Sequence, residues 1–171
     1  MTRKAAIISG AFLLIALAVS AFFLLRPVAE VRVALPGQGV RIADAVLVHP
    51  GDQLRMRYIH SVERTPVEGW FAVAEKGGFR AVKTKTAGTG TGLPNVARGR
   101  EVHTEGEWLV IDEGGKYYPE IPFYYHPLNE LRIRVGDKKL DLENIPEGSR
   151  LRITSRTRPL WKWVVTGEYF Q

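Results

Sequence analysis

An uninterrupted apolar run near the amino terminus constrains this chain more than any other feature. Residues 5–25 read AAIISGAFLLIALAVSAFFLL and contain no charged side chain. At about 1.5 Å per residue, a helix of this length covers about 31 Å, which is close to the thickness of the hydrocarbon core of a bilayer. Because a helix satisfies its own backbone hydrogen bonds, such a segment can cross lipid. The run therefore predicts a transmembrane signal anchor.

The charged residues that flank this run predict its orientation in a membrane. Two basic residues precede it and Arg26 follows it, whereas the first acidic residue is Glu30. Cytoplasmic flanks of membrane helices are enriched in lysine and arginine, so we expect the amino terminus in the cytoplasm. The sequence thus predicts a single-pass protein of the cell membrane in two parts. Residues 1–26 form a cytoplasmic stub and the anchor, residues 27–171 form an extracytoplasmic β-domain, and the lipid bilayer is contacted through residues 5–25.

A cleaved signal peptide is the alternative interpretation of the same run. Ala18 and Ser20 form a small-x-small cleavage pattern, although cleavage there would leave an apolar overhang on the mature chain. The apolar region of a signal peptide is also usually shorter, about 7 to 15 residues. Both interpretations place the globular part outside the cytoplasm.

Charge and cysteine content exclude several classes of function. The chain has 24 basic and 18 acidic residues, which gives a net charge of +6. Without the three basic residues of 1–26, 21 basic and 18 acidic residues remain, and the net charge is +3. Nucleic-acid binding requires a basic stripe, so no nucleic-acid partner is expected. The absence of cysteine excludes disulfides, thiolate metal sites and a cysteine nucleophile.

Beyond the apolar run, apolar and polar residues alternate and are interrupted by glycine and proline. Such alternation is typical of half-buried strands, and no convincing helical period competes with it. We therefore expect an all-β fold, an antiparallel β-sandwich or a partly open barrel, preceded by one N-terminal transmembrane helix. The predicted strands cover residues 31–35, 40–48, 52–62, 67–74, 79–86, 150–154 and 160–165, with hairpins at 107–118 and 131–142.

The alternation also assigns side chains to the two faces of each strand. Four arginines alternate with apolar residues and are expected on the solvated face, namely Arg132, Arg134, Arg150 and Arg152. Trp161 and Trp163 share one face of the last predicted strand, and we expect both indoles in the core.

His60 lies in phase with the apolar residues of the predicted strand 52–62, so its ring is expected to be at least partly buried. Burial favours the neutral imidazole, which then needs a hydrogen-bond partner. Glu63 follows at a predicted turn, and Glu68 begins the next strand. The three side chains are therefore expected to be able to converge at one strand end.

Several interpretations of this cluster remain open from the sequence. His60 is a structural residue held by a carboxylate or a carbonyl, or it binds a divalent metal such as zinc or manganese together with Glu63 and Glu68. A histidine–carboxylate acid/base pair with Ser61 is a third possibility, although Ser61 is expected to face away from His60. Recognition of a ligand or a partner by the same residues is the fourth. Spacing on strands is far less diagnostic of a metal site than two histidines on one helix.

The long segment 86–100 contains a glycine-rich stretch, GTGTGLPN, at residues 88–95. Glycines let the backbone approach a ligand closely. The stretch lacks the lysine and hydroxyl ending of a phosphate-binding P-loop, and no helix follows it as a dinucleotide fingerprint requires. We expect a turned crossover or a backbone-lined mouth beside the His60 cluster, with Gly90, Gly92 and Pro94 as candidate binding residues.

An aromatic segment occupies residues 117–130, where four tyrosines and a phenylalanine stand among three prolines. Such a rigid, amphipathic surface suits a partner protein, the lipid interface or a lid over the core.

The run YIHSVERTPVEGWFAV, residues 58–73, resembles the DUF1850 family of small extracytoplasmic proteins. The positions that carry the resemblance are Tyr58, His60, Ser61, Val62, Glu63, Pro66, Val67, Glu68 and Trp70, together with a loop element at Gly90, Gly92, Leu93 and Pro94.

The resemblance implies an accessory role beside a membrane transporter. Proteins of this family are typically encoded next to TRAP-type transporters of the TAXI class, which import organic acids with an external binding protein. The implied partner is a membrane subunit of such a transporter or its binding protein. The resemblance supplies no catalytic residue and no cofactor is expected, so it favours a binding role over an enzymatic one. A metal- or ligand-binding site at His60, Glu63 and Glu68 and a structural protein of the cell envelope are the alternatives.

Overall fold

The structure, a computed structural model, describes residues 3–37, 41–87 and 101–166, and the side chains of its first helix from residue 11 onward. The chain begins with helix α1 (Arg3–Leu25), which coincides with the uncharged run. The side chains from residue 11 to residue 25 are all exposed. Among the described residues, no helix is found with the length and apolarity that a membrane crossing requires.

The remainder is built almost entirely from β-strands. Within the described ranges there are twelve, namely β1 (Pro27–Leu35), β2 (Arg41–Val48), β3 (Gln53–Ile59), β4 (Pro66–Val73), β5 (Phe79–Thr86), β6 (Val102–Glu105), β7 (Trp108–Asp112), β8 (Tyr117–Tyr118), β9 (Glu120–Tyr124), β10 (Arg132–Val135), β11 (Lys138–Lys139) and β12 (Arg150–Pro159). A 3₁₀ turn η1 (Pro127–Asn129) and a short helix α2 (Leu160–Thr166) complete the described chain.

The strands form two antiparallel sheets. The four-stranded sheet has the order β2-β1-β12-β9, and the eight-stranded sheet has the order β11-β10-β3-β4-β5-β7-β6 with β8 paired to β5. The predicted all-β, sandwich-like architecture is therefore confirmed. The hairpin predicted at 131–142 is also present as β10 and β11, whose turn includes Gly136 at φ 59°.

The core lies between the inward faces of these sheets, and the alternation of the sequence explains its composition. Leu54 and Met56 of β3 point inward while the arginines between and after them point outward. The corresponding inward positions on the other strands include Val31, Val33, Phe79, Ile133, Val135, Leu151 and Ile153, all of which are almost completely buried. Arg132, Arg134, Arg150 and Arg152 are exposed, as their alternation predicted.

The loop between β4 and β5 ties the two sheets together. The amide of Gly78 donates to the carbonyl of Ser155 on β12, 3.3 Å away, and the Ser155 hydroxyl donates back to the Gly78 carbonyl at 3.1 Å. Gly77, at φ 87°, lies so close to β12 that a Cβ there would stand 2.8 Å from the Ser155 carbonyl oxygen. This contact requires both the positive φ and the missing side chain of glycine.

The last predicted strand is wrong, because residues 160–166 form α2 instead. The amide of Leu160 donates to the carbonyl of Arg26 at 2.9 Å, and the Trp163 indole donates to the carbonyl of Val28 at 3.2 Å. These bonds hold the segment against the start of β1 as a helical turn. In a helix, positions two apart point in different directions, so Trp163 is fully buried whereas Trp161 is 39% exposed.

The hairpin predicted at 107–118 is also wrong. The backbone of residues 113–116 bonds to β5, through Glu113 to Val82 at 2.9 Å and Gly115 to Ala81 at 3.0 Å, so β7 and β8 both pair with β5. The hairpin partner of β7 is β6. The aromatic segment then passes from one sheet to the other, since β8 pairs with β5 and β9 pairs with β12.

Candidate functional site

The predicted cluster around His60 is organised by the turn between β3 and β4. The strands end at the pair Ile59 and Pro66, and the His60 amide donates to the carbonyl of Thr65 at 2.9 Å. Arg64 takes a left-handed conformation at φ 55° and donates its amide to the His60 carbonyl at 3.0 Å. His60 therefore stands at the first position of a closed turn rather than within the strand, which the sequence had placed at 52–62.

The imidazole of His60 has a structural partner inside this turn. Its Nδ1 atom accepts a hydrogen bond from the backbone amide of Glu63 at 3.2 Å, and the residue is half-buried. An accepting Nδ1 places the proton of the neutral ring on Nε2. The partner is thus a main-chain amide, not the carboxylate or carbonyl of the first sequence-based interpretation.

Glu68 has a different environment from His60. It lies on the outward face of β4 opposite Arg57 of β3, and it is only 7% exposed. Its Oε2 atom is 2.6 Å from Nη2 of Arg55, and its Oε1 atom is 3.7 Å from Nε of Arg57. The carboxylate of Glu68 is therefore engaged with arginines.

The structure does not assemble the predicted metal site. No group of three or more histidine, aspartate or glutamate side chains that could hold a metal ion is found in the described part of the chain, which includes His60, Glu63 and Glu68. Ser61 is exposed at the turn. Gly90, Gly92 and Pro94 lie outside the described residues. The amide of Ala87, the last described residue before them, donates to the carbonyl of Pro66 at 3.3 Å, beside the His60 turn.

A cationic surface emerges on the outward side of the larger sheet. Strands β10, β3, β4 and β5 are neighbours, and together they carry five arginines and two lysines but one acidic residue, Glu68. We call the outward side of these four strands the cationic face. Its basic residues are Arg55, Arg57, Arg80, Lys83, Lys85, Arg132 and Arg134.

The register places like charges directly opposite each other on this face. Arg132 pairs with Arg57 and Arg134 pairs with Arg55 across β10 and β3. Directly opposed like charges destabilise a sheet. The side chains of Arg55, Arg57 and Arg132 are 47%, 51% and 65% exposed. Glu68 contacts only the two arginines of β3. Glu130 lies 3.9 Å from Arg132 of β10. The face therefore offers guanidinium groups to an external anion.

Trp70 lies at the centre of the cationic face. Its ring centroid is 4.8 Å from Nζ of Lys83, 5.2 Å from the guanidinium carbon of Arg55 and 5.9 Å from Nζ of Lys85. Such distances are within the range of cation–π attraction. The indole thus lies within cation–π distance of three cations, of which Lys85 is also bonded to Glu105 and only 20% exposed.

Charge pairs lie on the part of the larger sheet beyond β5. Lys85 donates a hydrogen bond to Glu105, and Nε2 of His103 lies 3.1 Å from the other oxygen of that carboxylate. The Lys85 hydrogen bond first, and then that of His103, lower the pKa of the Glu105 carboxyl from its ordinary value. On the inner side of β3, burial raises the pKa of the Tyr58 phenol.

An open groove of about 650 Å³ adjoins the cationic face beyond β10. Arg132, Arg134 and Lys139 line one part of it, and Leu140 and Leu142 line another. Among the described residues that line this groove, none belongs to the predicted cluster of His60, Glu63 and Glu68.

The sequence analysis placed single arginines on a solvated face but missed the surface that they form together. The pairing of β10 with β3 joins residues more than seventy positions apart, and alternation alone does not specify it. The available signal was the repeated basic-x-basic pattern at residues 55–57, 83–85 and 132–134.

Comparison with known proteins gives one family. The model of the domain of unknown function DUF1850 matches residues 54–142, which is just over half of the chain and covers β3 to the segment after β11. No curated protein and no solved structure matches the chain significantly.

Proposed function

The chain belongs to the DUF1850 family, and from this premise we propose that it is a membrane-anchored extracytoplasmic accessory protein that binds an acidic partner surface. The proposal is a binding role rather than a catalytic one. Its partner is a subunit of a TAXI-type TRAP transporter, either the membrane subunit or the external binding protein, as the family resemblance implies.

The cationic face is the observation that carries this proposal. A sheet with arginines opposed on adjacent strands loses stability unless the charges are compensated. Glu68 compensates only two of them from within the face. Guanidinium groups that are half-exposed and held in register suit bidentate contacts to carboxylates. The simplest explanation for these opposed, half-exposed arginines is that an anionic surface of a partner covers them.

The exposed apolar helix supports the membrane part of the proposal. Most of the large apolar side chains described on α1 have more than half of their surface exposed, including Phe12, Leu14 and Phe22 at 75%, 69% and 58%. The uncharged run 5–25 is long enough for a bilayer at about 1.5 Å per residue. The flanking basic residues favour insertion of this run with the amino terminus inside. The anchor would raise the effective concentration of the domain beside a membrane complex.

Detergent extraction followed by affinity purification tests the partner. The chain should copurify with the transporter's membrane subunit or binding protein, and the double substitution Arg132→Glu with Arg134→Glu should reduce the recovered partner several-fold. The matched control is Arg150→Glu with Arg152→Glu, an equal charge change on exposed arginines of the smaller sheet. Recovery in the control should equal that of the unaltered chain.

Two results would count against the proposal. If both double variants retain the partner equally, the cationic face is not the binding surface. If the unaltered chain purifies alone under conditions that preserve known transporter complexes, the accessory role itself is wrong. Protease added to intact cells should digest the β-domain, and protection until lysis would overturn the proposed location.

A further inference from the structure

The short C-terminal helix α2 presents two different faces. Trp161, Val164 and Val165 lie at positions i, i+3 and i+4, which share one side of a helix. They are 39%, 61% and 74% exposed, whereas Trp163 on the other side is fully buried. An exposed tryptophan with two exposed valines on a seven-residue helix is an apolar patch that the β-domain itself does not cover.

The position of α2 is fixed relative to the end of α1. The Leu160 amide donates to the Arg26 carbonyl at 2.9 Å, one residue after α1 ends. The Trp163 indole donates to the Val28 carbonyl at 3.2 Å, and α1 and α2 are in contact. Any surface that α1 enters is therefore within reach of α2.

The apolar side chains near the end of α1 extend the patch formed by α2. Phe22 and Phe23 are 58% and 53% exposed, and the guanidinium of Arg26 lies 4.6 Å and 5.3 Å from their ring centroids. Aromatic rings with a cation at the same level are typical of the boundary between hydrocarbon and headgroups.

Basic side chains accompany this patch. The ammonium of Lys162 lies 5.6 Å from the Trp161 ring, and the guanidinium of Arg158 lies 5.5 Å from the Trp163 ring. From residue 156 to residue 166, the part of the chain next to the patch, the sequence has three basic residues and no acidic one. Basic side chains near a membrane surface are attracted to anionic headgroups, with about 1 kcal/mol for each as a typical magnitude.

We infer that α2 lies in the interfacial layer of the bilayer, with Trp161, Val164 and Val165 toward the acyl chains and Arg26, Arg158 and Lys162 at the level of the lipid phosphates. This inference rests on the proposed anchor and adds a second contact to it. The occupant of the patch is lipid because the patch is continuous with the helix that enters the lipid and is bordered by cations. Two contacts instead of one would fix the tilt of the β-domain on the membrane.

The chain is free of cysteine, so single cysteines can carry spin labels at chosen depths. The full chain is reconstituted into vesicles of phosphatidylcholine and phosphatidylglycerol with a label at Leu17→Cys, Val165→Cys or Val62→Cys. Leu17 reports on the anchor, Val165 on α2, and Val62 is a 70% exposed control in the turn between β3 and β4. The accessibility of each label to oxygen and to a water-soluble nickel chelate gives its depth.

We expect the label at position 17 to lie deep in the lipid and the label at position 62 to lie in water. The label at position 165 should lie at a shallow depth in the lipid. Its ratio of oxygen accessibility to nickel accessibility should be several-fold higher than that of the label at position 62. A label at 165 as aqueous as that at 62, with position 17 in lipid, would overturn the inference and leave the anchor intact. A label at 17 in water would overturn the proposed anchor and the inference with it. Circular dichroism of each labelled chain verifies that the β-domain is folded.

Discussion

The Oε2 atom of Glu68 lies 2.6 Å from Nη2 of Arg55, and this carboxylate is almost buried while the guanidinium is half-exposed. The other carboxylate oxygen is 3.7 Å from Nε of Arg57. On the far side of β3, Arg134 and Arg132 stand opposite these two arginines. Glu68 is thus the one acidic residue within the four strands of the cationic face, and it offsets part of the repulsion among the arginines.

Replacing Glu68 by glutamine should therefore destabilise the fold. The amide keeps the shape of the side chain but leaves the arginines without a counter-charge, and we expect the free energy of unfolding to fall by about 1–2 kcal/mol because the guanidinium groups are partly solvated. The loss should shrink at high salt, since salt screens repulsion between exposed charges. Urea unfolding of the full chain in detergent measures both effects.

Glu75→Gln is the control for this substitution, because Glu75 is exposed in the loop after β4. Its effect should lie within about 0.5 kcal/mol of zero. An equal loss in both variants, or a loss in Glu68→Gln that grows with salt, would contradict the assigned role of Glu68.

We predict that His60 stabilises the turn between β3 and β4 through the hydrogen bond that its Nδ1 atom accepts. His60→Ala removes the partner of the Glu63 amide in the turn and should cost about 1 kcal/mol of unfolding free energy. His60→Asn should recover most of this loss, because the asparagine side-chain oxygen accepts main-chain hydrogen bonds in turns. Equal losses in the two variants would indicate that packing of the ring, rather than the hydrogen bond, matters.

The phenol of Tyr58 leads us to predict that the folded protein loses stability in alkaline solution. Burial raises the pKa of this group, and its ring packs edge-on against Phe123 with the centroids 5.1 Å apart. The folded state therefore retains the proton better than the unfolded state, whose tyrosines ionise near about pH 10. The stabilisation is fully present below that pH and is lost as the pH rises through the folded-state pKa.

Tyr58→Phe should accordingly flatten the decline of unfolding free energy between about pH 9 and about pH 11. Urea titrations of the two chains at several pH values in this window give the comparison. Curves that remain parallel would show that Tyr58 does not contribute to the alkaline loss.

The β-architecture was predictable because it depends on local alternation. Leu54 and Met56 could be placed inward from the sequence, and Arg55 outward, since successive residues of a strand face opposite sides. The same rule failed at Trp161 and Trp163, because hydrogen bonds from α2 to residues 26 and 28 override the pattern. The local alternation of apolar and polar residues carries no information about contacts between residues more than a hundred positions apart.

The arrangement of the candidate site depends on contacts that local alternation does not specify. His60 is half-buried, but it lies in the turn after β3, so strand phase does not explain its burial, and its main-chain partner depends on how the turn closes. Glu68 was grouped with His60 by proximity in sequence, whereas strand pairing places it with Arg55 and Arg57. Register therefore decides the chemistry of the site, and register is a long-range property.

The exposed carboxyl of Glu105 is predicted to titrate at lower pH than an ordinary glutamate. The hydrogen bond from Lys85 is the largest cause of the lowered pKa, followed by that from His103. Lys85→Met should raise this pKa toward its ordinary value. Lys83→Met also removes a cation beside Trp70 but no hydrogen bond to Glu105, and it should leave the pKa unchanged. Carbon-detected NMR titration of the glutamate carboxyls makes the measurement. Because the pKa is lowered by folding, this interaction contributes stability above the unfolded-state pKa and loses it as the pH falls through the folded-state value.

Gly77 should tolerate substitution less well than any turn glycine with open space around it. Gly77 and Gly114 both have positive φ, 87° and 61°, so alanine is strained at either position by about 1 kcal/mol. At Gly77 the new Cβ would also meet the Ser155 carbonyl oxygen at 2.8 Å, whereas no atom lies within 4 Å of the corresponding position at Gly114. The obstruction is backbone of the neighbouring sheet, which cannot rotate away.

We therefore expect Gly77→Ala to lower the unfolding free energy by about 2–4 kcal/mol and Gly114→Ala by about 1 kcal/mol. Amide exchange separates the causes. In Gly77→Ala the amide of Gly78, which bonds to Ser155 at 3.3 Å, should exchange faster because the two sheets are pushed apart there. Equal destabilisation in the two variants, with unchanged exchange at Gly78, would mean that backbone strain alone accounts for the loss and that the loop does not hold the sheets together.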